Sequence, residues 1–153
     1  YTELVQDVQS AFADYNVFLV DVCEGDNFLN DVAKITNTPI ISIDTPILSA
    51  AKILANARVY ISGRYHPSIL ASLGGTPCVF MSSNSHKTRS VQELLEYEEI
   101  KEFNVLPDKD EREKIIELAK YKINEGENLR NKIQLRCLEL SKETLKQQDL
   151  FKE

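Results

Sequence analysis

The sequence predicts an α/β domain in three layers, a parallel sheet covered by helices on both faces, with helices at its C-terminal end. Three observations predict it. Short apolar runs of strand length alternate with amphipathic segments over residues 1–107. Those runs show little polar alternation, as expected of strands buried on both faces. The charge balance then changes: the formal net charge of -6 lies wholly in residues 1–107, whereas 108–153 carry 11 basic and 11 acidic side chains. The chain therefore divides into an α/β body, 1–107, and a C-terminal helical segment, 108–153.

The elements follow in order. Leu4, Val5, Val8, Ala11 and Phe12 recur at helical spacing and predict a helix over 2–14. The run 16–22 is a strand, 26–36 a short helix and 39–43 a second strand. Residues 46–57 form a helix with Pro46 in its first turn and Thr45 placed to cap it. Residues 58–62 are a third strand. A helix over 67–73 is ended by Gly74-Gly75. Residues 77–82 are a fourth strand, 89–97 a helix and 103–106 a short edge strand. Beyond 108, Ile115, Leu118 and Ala119 make one apolar stripe and Leu129, Ile133, Cys137 and Leu140 another, with Gly126 between two helices. The mixed charges of this segment read as a solvated face.

Composition narrows the function. At 42% hydrophobic and 27% charged, the 153 residues are globular rather than disordered. The acidic balance excludes a general nucleic-acid binder, which needs a basic face. No apolar run approaches the roughly 18 residues of a transmembrane segment. Cys23, Cys78 and Cys137 are odd in number and widely spaced, matching neither a disulfide framework nor a zinc pattern, so the expected setting is reducing and cytoplasmic. With two histidines in all, no metal site is predicted. The chain opens at Tyr1, already inside a helical pattern, and is expected to be a piece of a longer protein.

Two segments carry candidate chemistry. Residues 61–68 (Ile-Ser-Gly-Arg-Tyr-His-Pro-Ser) follow the third strand, and 81–88 (Met-Ser-Ser-Asn-Ser-His-Lys-Thr) follow the fourth. Both lie at carboxyl ends of predicted parallel strands, where open α/β sheets bind ligands. They hold both histidines of the chain, His66 and His86, and also Arg64 and Lys87, two of only seven basic residues before position 108. An acidic body has gathered cations at one edge, and helix N-termini there favour an anion. Gly63 lets the backbone approach a ligand closely, and Pro67 starts a helix without wasting a donor. Arg64 offers a planar fork for carboxylate or phosphate, Lys87 a point charge. Ser82, Ser83, Ser85 and Thr88 add neutral donors. An imidazole at a helix start, as at His66, can pass a proton in either direction.

Each feature has a plainer reading as a cap, a turn or a surface ion pair; the pairing of the two loops is what favours a ligand site. Asp21 and Asp44 end strands, faintly as in a phosphoacceptor receiver, but the paired acids of such a site are absent and both read as loop caps. Cys78, inside an apolar strand, reads as packing. Tyr60 and Tyr65 read as core or rim packing, with sugar stacking as the functional alternative. No Walker motif or GxGxxG occurs.

The run 53–87, from Ile53-Leu-Ala-Asn-Ala-Arg-Val-Tyr-Ile-Ser-Gly-Arg-Tyr-His to Asn84-Ser-His-Lys87, resembles the C-terminal half of the polysaccharide pyruvyl transferases. In that family a strand ends in arginine, a bulky residue and histidine; a helix, a glycine, a proline, a further strand and a lysine-bearing loop follow. Here these are Arg64-Tyr65-His66, Gly75, Pro77 and Lys87. Pro67 departs from the small residue that members often carry after the histidine. The resemblance implies one Rossmann-like half of a GT-B architecture, with a missing N-terminal domain across a cleft. It implies pyruvate transfer from phosphoenolpyruvate to two hydroxyls of a sugar or glycan acceptor, with no cofactor. Catalysis would fall to His66 and Arg64, and substrate binding to Gly63, Ser85 and Lys87; His86 is a further binding candidate from its place beside Lys87, which the family motif does not assign. Two other readings stay open: a nucleotide-sugar-dependent GT-B glycosyltransferase or epimerase, and a non-catalytic module that binds an anion or a partner. The absence of any acidic residue between Arg58 and Thr88 counts against the first of these, which often holds a ribose with glutamate.

Overall fold

A computed structural model describes residues 1–149 except Glu24, Asp26, Asn84 and Ser85, with backbone alone at 147–149. In chain order the elements are α1 (Thr2–Ala11), β1 (Leu19–Val20), α2 (Phe28–Thr36), β2 (Ile40–Ile41), α3 (Ile47–Ala55) and β3 (Tyr60–Ser62). There follow α4 (Tyr65–Leu73), β4 (Cys78–Met81), α5 (Lys87–Leu94), β5 (Glu102–Phe103), α6 (Lys109–Asn124) and α7 (Gly126–Asp149). The alternation and the parallel pairing agree with the sequence. The ladders form two groups, β1–β2 and β3–β4–β5, all parallel.

β4 is the centre, buried along its whole length. Its side chains alternate between two cores, as the pleat requires. Val79 and Met81 face Leu4 and Phe12 from the first helical segment, Phe103, and Ile115 and Ala119 of α6. Cys78 and Phe80 face Leu54 of α3, Ala71 of α4, Val91 of α5 and Ile133 of α7. Helices thus cover both faces of this sheet. Val20 of β1 packs on the second core, which brings the two-stranded pair against the same interior.

Several boundaries move for local reasons. The apolar run 16–22 yields only two ladder residues, because its partner strand is preceded by Pro39, which accepts from the Leu19 N–H at 2.9 Å but has no N–H to return. Pro46 is the N-cap of α3 rather than a first-turn residue, and no side-chain cap forms. The Thr45 N–H instead bonds the Ser42 carbonyl at 3.0 Å. Asp44 does serve its loop, its N–H donating to Ser42 Oγ at 3.1 Å. The buried Oδ1 of Asp21 has no hydrogen-bond partner among the described residues.

Helix α4 ends as its glycines suggest. Gly75 takes a φ of +80°, which glycine adopts without the clash other residues suffer. A Cβ there would also lie 2.5 Å from the Arg130 carbonyl oxygen. The C-terminal charges are not merely a solvated face. Arg130 of α7 donates to the carbonyls of Ala57 (2.7 Å), Ala55 (3.0 Å) and Gly74 (3.0 Å), tying off the ends of α3 and α4. Arg112 of α6 pairs with Glu3 at 2.8 Å and Asp7 at 2.7 Å, clamping α6 to α1. Asp108 caps α6 by accepting from the Glu111 N–H at 2.9 Å.

Candidate functional site

β3 and β4 run parallel in register, Tyr60 opposite Cys78 and Ser62 opposite Phe80. Their carboxyl ends therefore lie side by side, and the two loops singled out above leave the sheet together. Gly63 sits at the join. A Cβ on it would lie 3.0 Å from the Ser82 carbonyl oxygen and 3.1 Å from that of Met81. Glycine here permits backbone contact between the loops, rather than open space for a ligand.

Both loops turn at once into helices, one residue pair earlier than the sequence suggests. Arg64 is the N-cap of α4 in an extended conformation, so His66 stands within the first turn and not in a loop. Pro67 is then the third helical residue, where its missing N–H still costs no helix bond. The Arg64 N–H donates to Ser62 Oγ at 3.0 Å, and its carbonyl accepts from Ser68 Oγ at 2.7 Å. His86 is the N-cap of α5, its carbonyl accepting from the Ser90 N–H (3.0 Å), and Lys87 is the first helical residue. Neither N-cap side chain closes its helix by a hydrogen bond. Both helices start at the same sheet edge, with the positive ends of their dipoles there.

The side chains converge. The Lys87 ammonium faces the Tyr65 ring, 5.8 Å from its centroid. The Tyr65 ring meets the His66 ring edge-on, with centroids 5.1 Å apart. Arg64, His66, His86 and Lys87 are all exposed. The edge is a cationic shelf rather than a closed pocket. Ser85 lies outside the described residues. Thr88, expected as a free donor, is fully buried and donates its hydroxyl to Glu102 Oε1, with Ser83 Oγ 3.4 Å from Thr88 Oγ1.

Glu102 is the residue that sequence reasoning missed. It opens β5 opposite Phe80, at the level of the shelf, and brings a carboxylate that Thr88 holds in place. The edge strand was expected at 103–106, one residue too late to include it. Among the described residues, no group of three His, Cys, Asp or Glu side chains is placed to hold a metal ion. No helix among them is long and apolar enough to cross a membrane.

The model of the polysaccharide pyruvyl transferase family matches residues 3–86. The chain belongs to the polysaccharide pyruvyl transferase family. The match takes in α1 through β4 and therefore extends well upstream of the run 53–87. It spans Gly63, Arg64, His66 and His86, and stops one residue before Lys87. No curated protein and no solved structure matches the chain.

Proposed function

We propose that this chain is the donor-binding C-terminal half of a two-domain, GT-B-like pyruvyl transferase that acts in the cytoplasm. It would use phosphoenolpyruvate to form a ketal on a sugar of a surface polysaccharide. The supporting observation is the convergence of two helix starts, Arg64, His66 and Lys87 on one sheet edge, with Lys87 lying over Tyr65.

The chemistry assigned to these groups balances. Two sugar O–H bonds break and two C–O bonds form at C2 of the donor. The C2–O bond to phosphate breaks. One hydroxyl proton ends on the methylene carbon, making it a methyl group, and the other leaves with phosphate. His66 moves a proton between the sugar hydroxyl and the enol carbon. Arg64 holds the carboxylate or phosphate by its fork. Lys87, Ser85 and His86, with the N–H groups of the α4 and α5 first turns, stabilise charge as phosphate departs. Gly63 keeps the two loops in contact. Thr88 donates to Glu102 and fixes that carboxylate at the level of the shelf. The acceptor would bind against the second domain.

The test is a titration of this chain with phosphoenolpyruvate, followed by NMR at the amides of 62–68 and 86–90 and at the two imidazoles, with a uridine nucleotide-sugar in parallel. Saturable shifts with phosphoenolpyruvate alone are expected. A response to the nucleotide-sugar alone moves the assignment to a glycosyltransferase or epimerase. Turnover by the full-length protein, with phosphate released in step with ketal formed, tests the reaction itself.

A further inference from the structure

A pocket of about 360 Å³ opens at the other end of the sheet from the cationic shelf. Its position follows from its walls. Cys78 is the first residue of β4, and residues 95–99 connect α5 to the start of β5, so the pocket lies at the amino ends of these strands. The volume is that of a small-molecule site. Phe80, Leu95, Leu129 and Ile133 give it an apolar body.

Two polar groups in its walls lack a hydrogen-bond acceptor or an ion-pair partner among the described residues. Gln92 is 1% exposed, and its Oε1 accepts the Lys101 N–H at 2.9 Å. That bond fixes which end of the amide is oxygen. Its Nε2, with two N–H donors, has no acceptor among the described residues. Native interiors rarely leave such a donor unmade. The Lys122 ammonium lies 4.1 Å from the centroid of the Tyr97 ring, and among the described residues no carboxylate is within ion-pair distance of it. Burial pulls its pKa below the ordinary lysine range, while Cys78, Glu98 and Glu99 pull the other way.

The surroundings select the charge of a ligand. Glu96, Glu98, Glu99 and Glu125 line the pocket, and the first three have cation partners, Arg136 at 3.3 Å and Lys132 and Lys101 each at 3.8 Å. Lys122 and the amide donor therefore face one carboxylate, Glu125, that is not ion-paired among the described residues. A singly charged acceptor fits this balance; a phosphate dianion meets repulsion.

We propose that this pocket binds a small organic monocarboxylate with an apolar body, its carboxylate taken by the Lys122 ammonium and the Gln92 Nε2–H and its body lying against Leu95, Leu129 and Ile133. The site is separate from the donor shelf, and neither assignment depends on the other.

Benzoate is the probe, with benzamide and phenyl phosphate as the uncharged and doubly charged comparisons, titrated into this chain by NMR. Saturable benzoate shifts are expected at the Gln92 side-chain amide and at Leu95, Leu129 and Ile133, with the other two probes bound at least about tenfold more weakly. K122M, which keeps the aliphatic stem, should weaken benzoate by about tenfold, and Lys122→Arg should hold it within about threefold. No saturable response to benzoate, shifts confined to residues 64–66 and 86–88, equal binding of phenyl phosphate, or an unchanged K122M would each overturn the proposal. The wild-type titration decides it even if K122M fails to fold.

Discussion

The ammonium of Lys87 faces the ring of Tyr65, 5.8 Å from its centroid, so the first residue of α5 touches the first residue of α4. The contact links the two loops at the level of side chains, where Gly63 links them through the backbone. Tyr65 also packs on the second core, which steadies the ring. Tyr65→Leu should keep that packing and remove the ring face that Lys87 uses. An exposed cation–π contact is worth about 0.5–1 kcal/mol, so phosphoenolpyruvate binding should weaken by about two- to fivefold. Isothermal titration of wild type and variant checks it. An unchanged affinity would show that the ring does not place Lys87.

His66 is exposed, and alanine is a good helix former at its position in the first turn of α4. His66→Ala should therefore shift stability by no more than about 0.5 kcal/mol. Loss of a proton-transferring group costs about 10²–10⁴ in rate, and turnover of the full-length enzyme should fall by that much. Denaturant melts alongside phosphate-release assays separate the two effects. Near-normal turnover in a stable variant removes His66 from the reaction.

What the sequence made legible is what depends on order along the chain. The buried run 78–81, the helical stripes through Ile115 and Ile133, and the glycine pair ending α4 each announce themselves locally, and each is in place. Arg64, His66 and Lys87 were found because they follow strand ends, and parallel register does the rest. Relations across the fold were not legible. Glu102 reaches the shelf only because β5 pairs with β4, and Thr88 is spent on it for the same reason. Arg130 and Arg112 look like any surface charge on an amphipathic helix; only the docking of α7 and α6 shows what they hold.

Arg130 supplies the next prediction. Its guanidinium donates to three carbonyls, at Ala55, Ala57 and Gly74, that end two helices. Arg130→Met leaves them to whatever water can reach a partly buried joint, at a cost of about 2–4 kcal/mol. Arg130→Lys reaches fewer of them, because an ammonium cannot fork, and should recover only part of the loss. Urea unfolding of the three proteins gives the ranking. Equal stability of the lysine and arginine forms would mean that charge alone, not the fork, does the work.

Alkaline stability follows from Cys78 and Lys122 in the pocket at the amino end of the sheet, with the Tyr97 hydroxyl, which burial also pushes up, adding to the Cys78 effect above pH 10. Burial pushes the Cys78 thiol from 9.0 up to about 12, so the unfolded chain gives up this proton long before the folded one. Between those two values the folded state binds the extra proton, and stability falls as pH rises, by up to about 1.4 kcal/mol per unit. Lys122 acts in the opposite sense. Burial lowers its folded pKa below 10.5, so above that lowered value the unfolded chain holds the extra proton and stability gains as pH rises toward 10.5. The two slopes offset each other where they overlap, just below pH 10.5. Lys122→Met should therefore make the melting temperature fall more steeply as pH approaches 10.5 than in wild type, and Cys78→Ala should flatten the fall whatever its effect at pH 7. Calorimetry of the three proteins from pH 7 to 10.5 measures both slopes. An alkaline slope unchanged in Cys78→Ala would place the titrating group elsewhere.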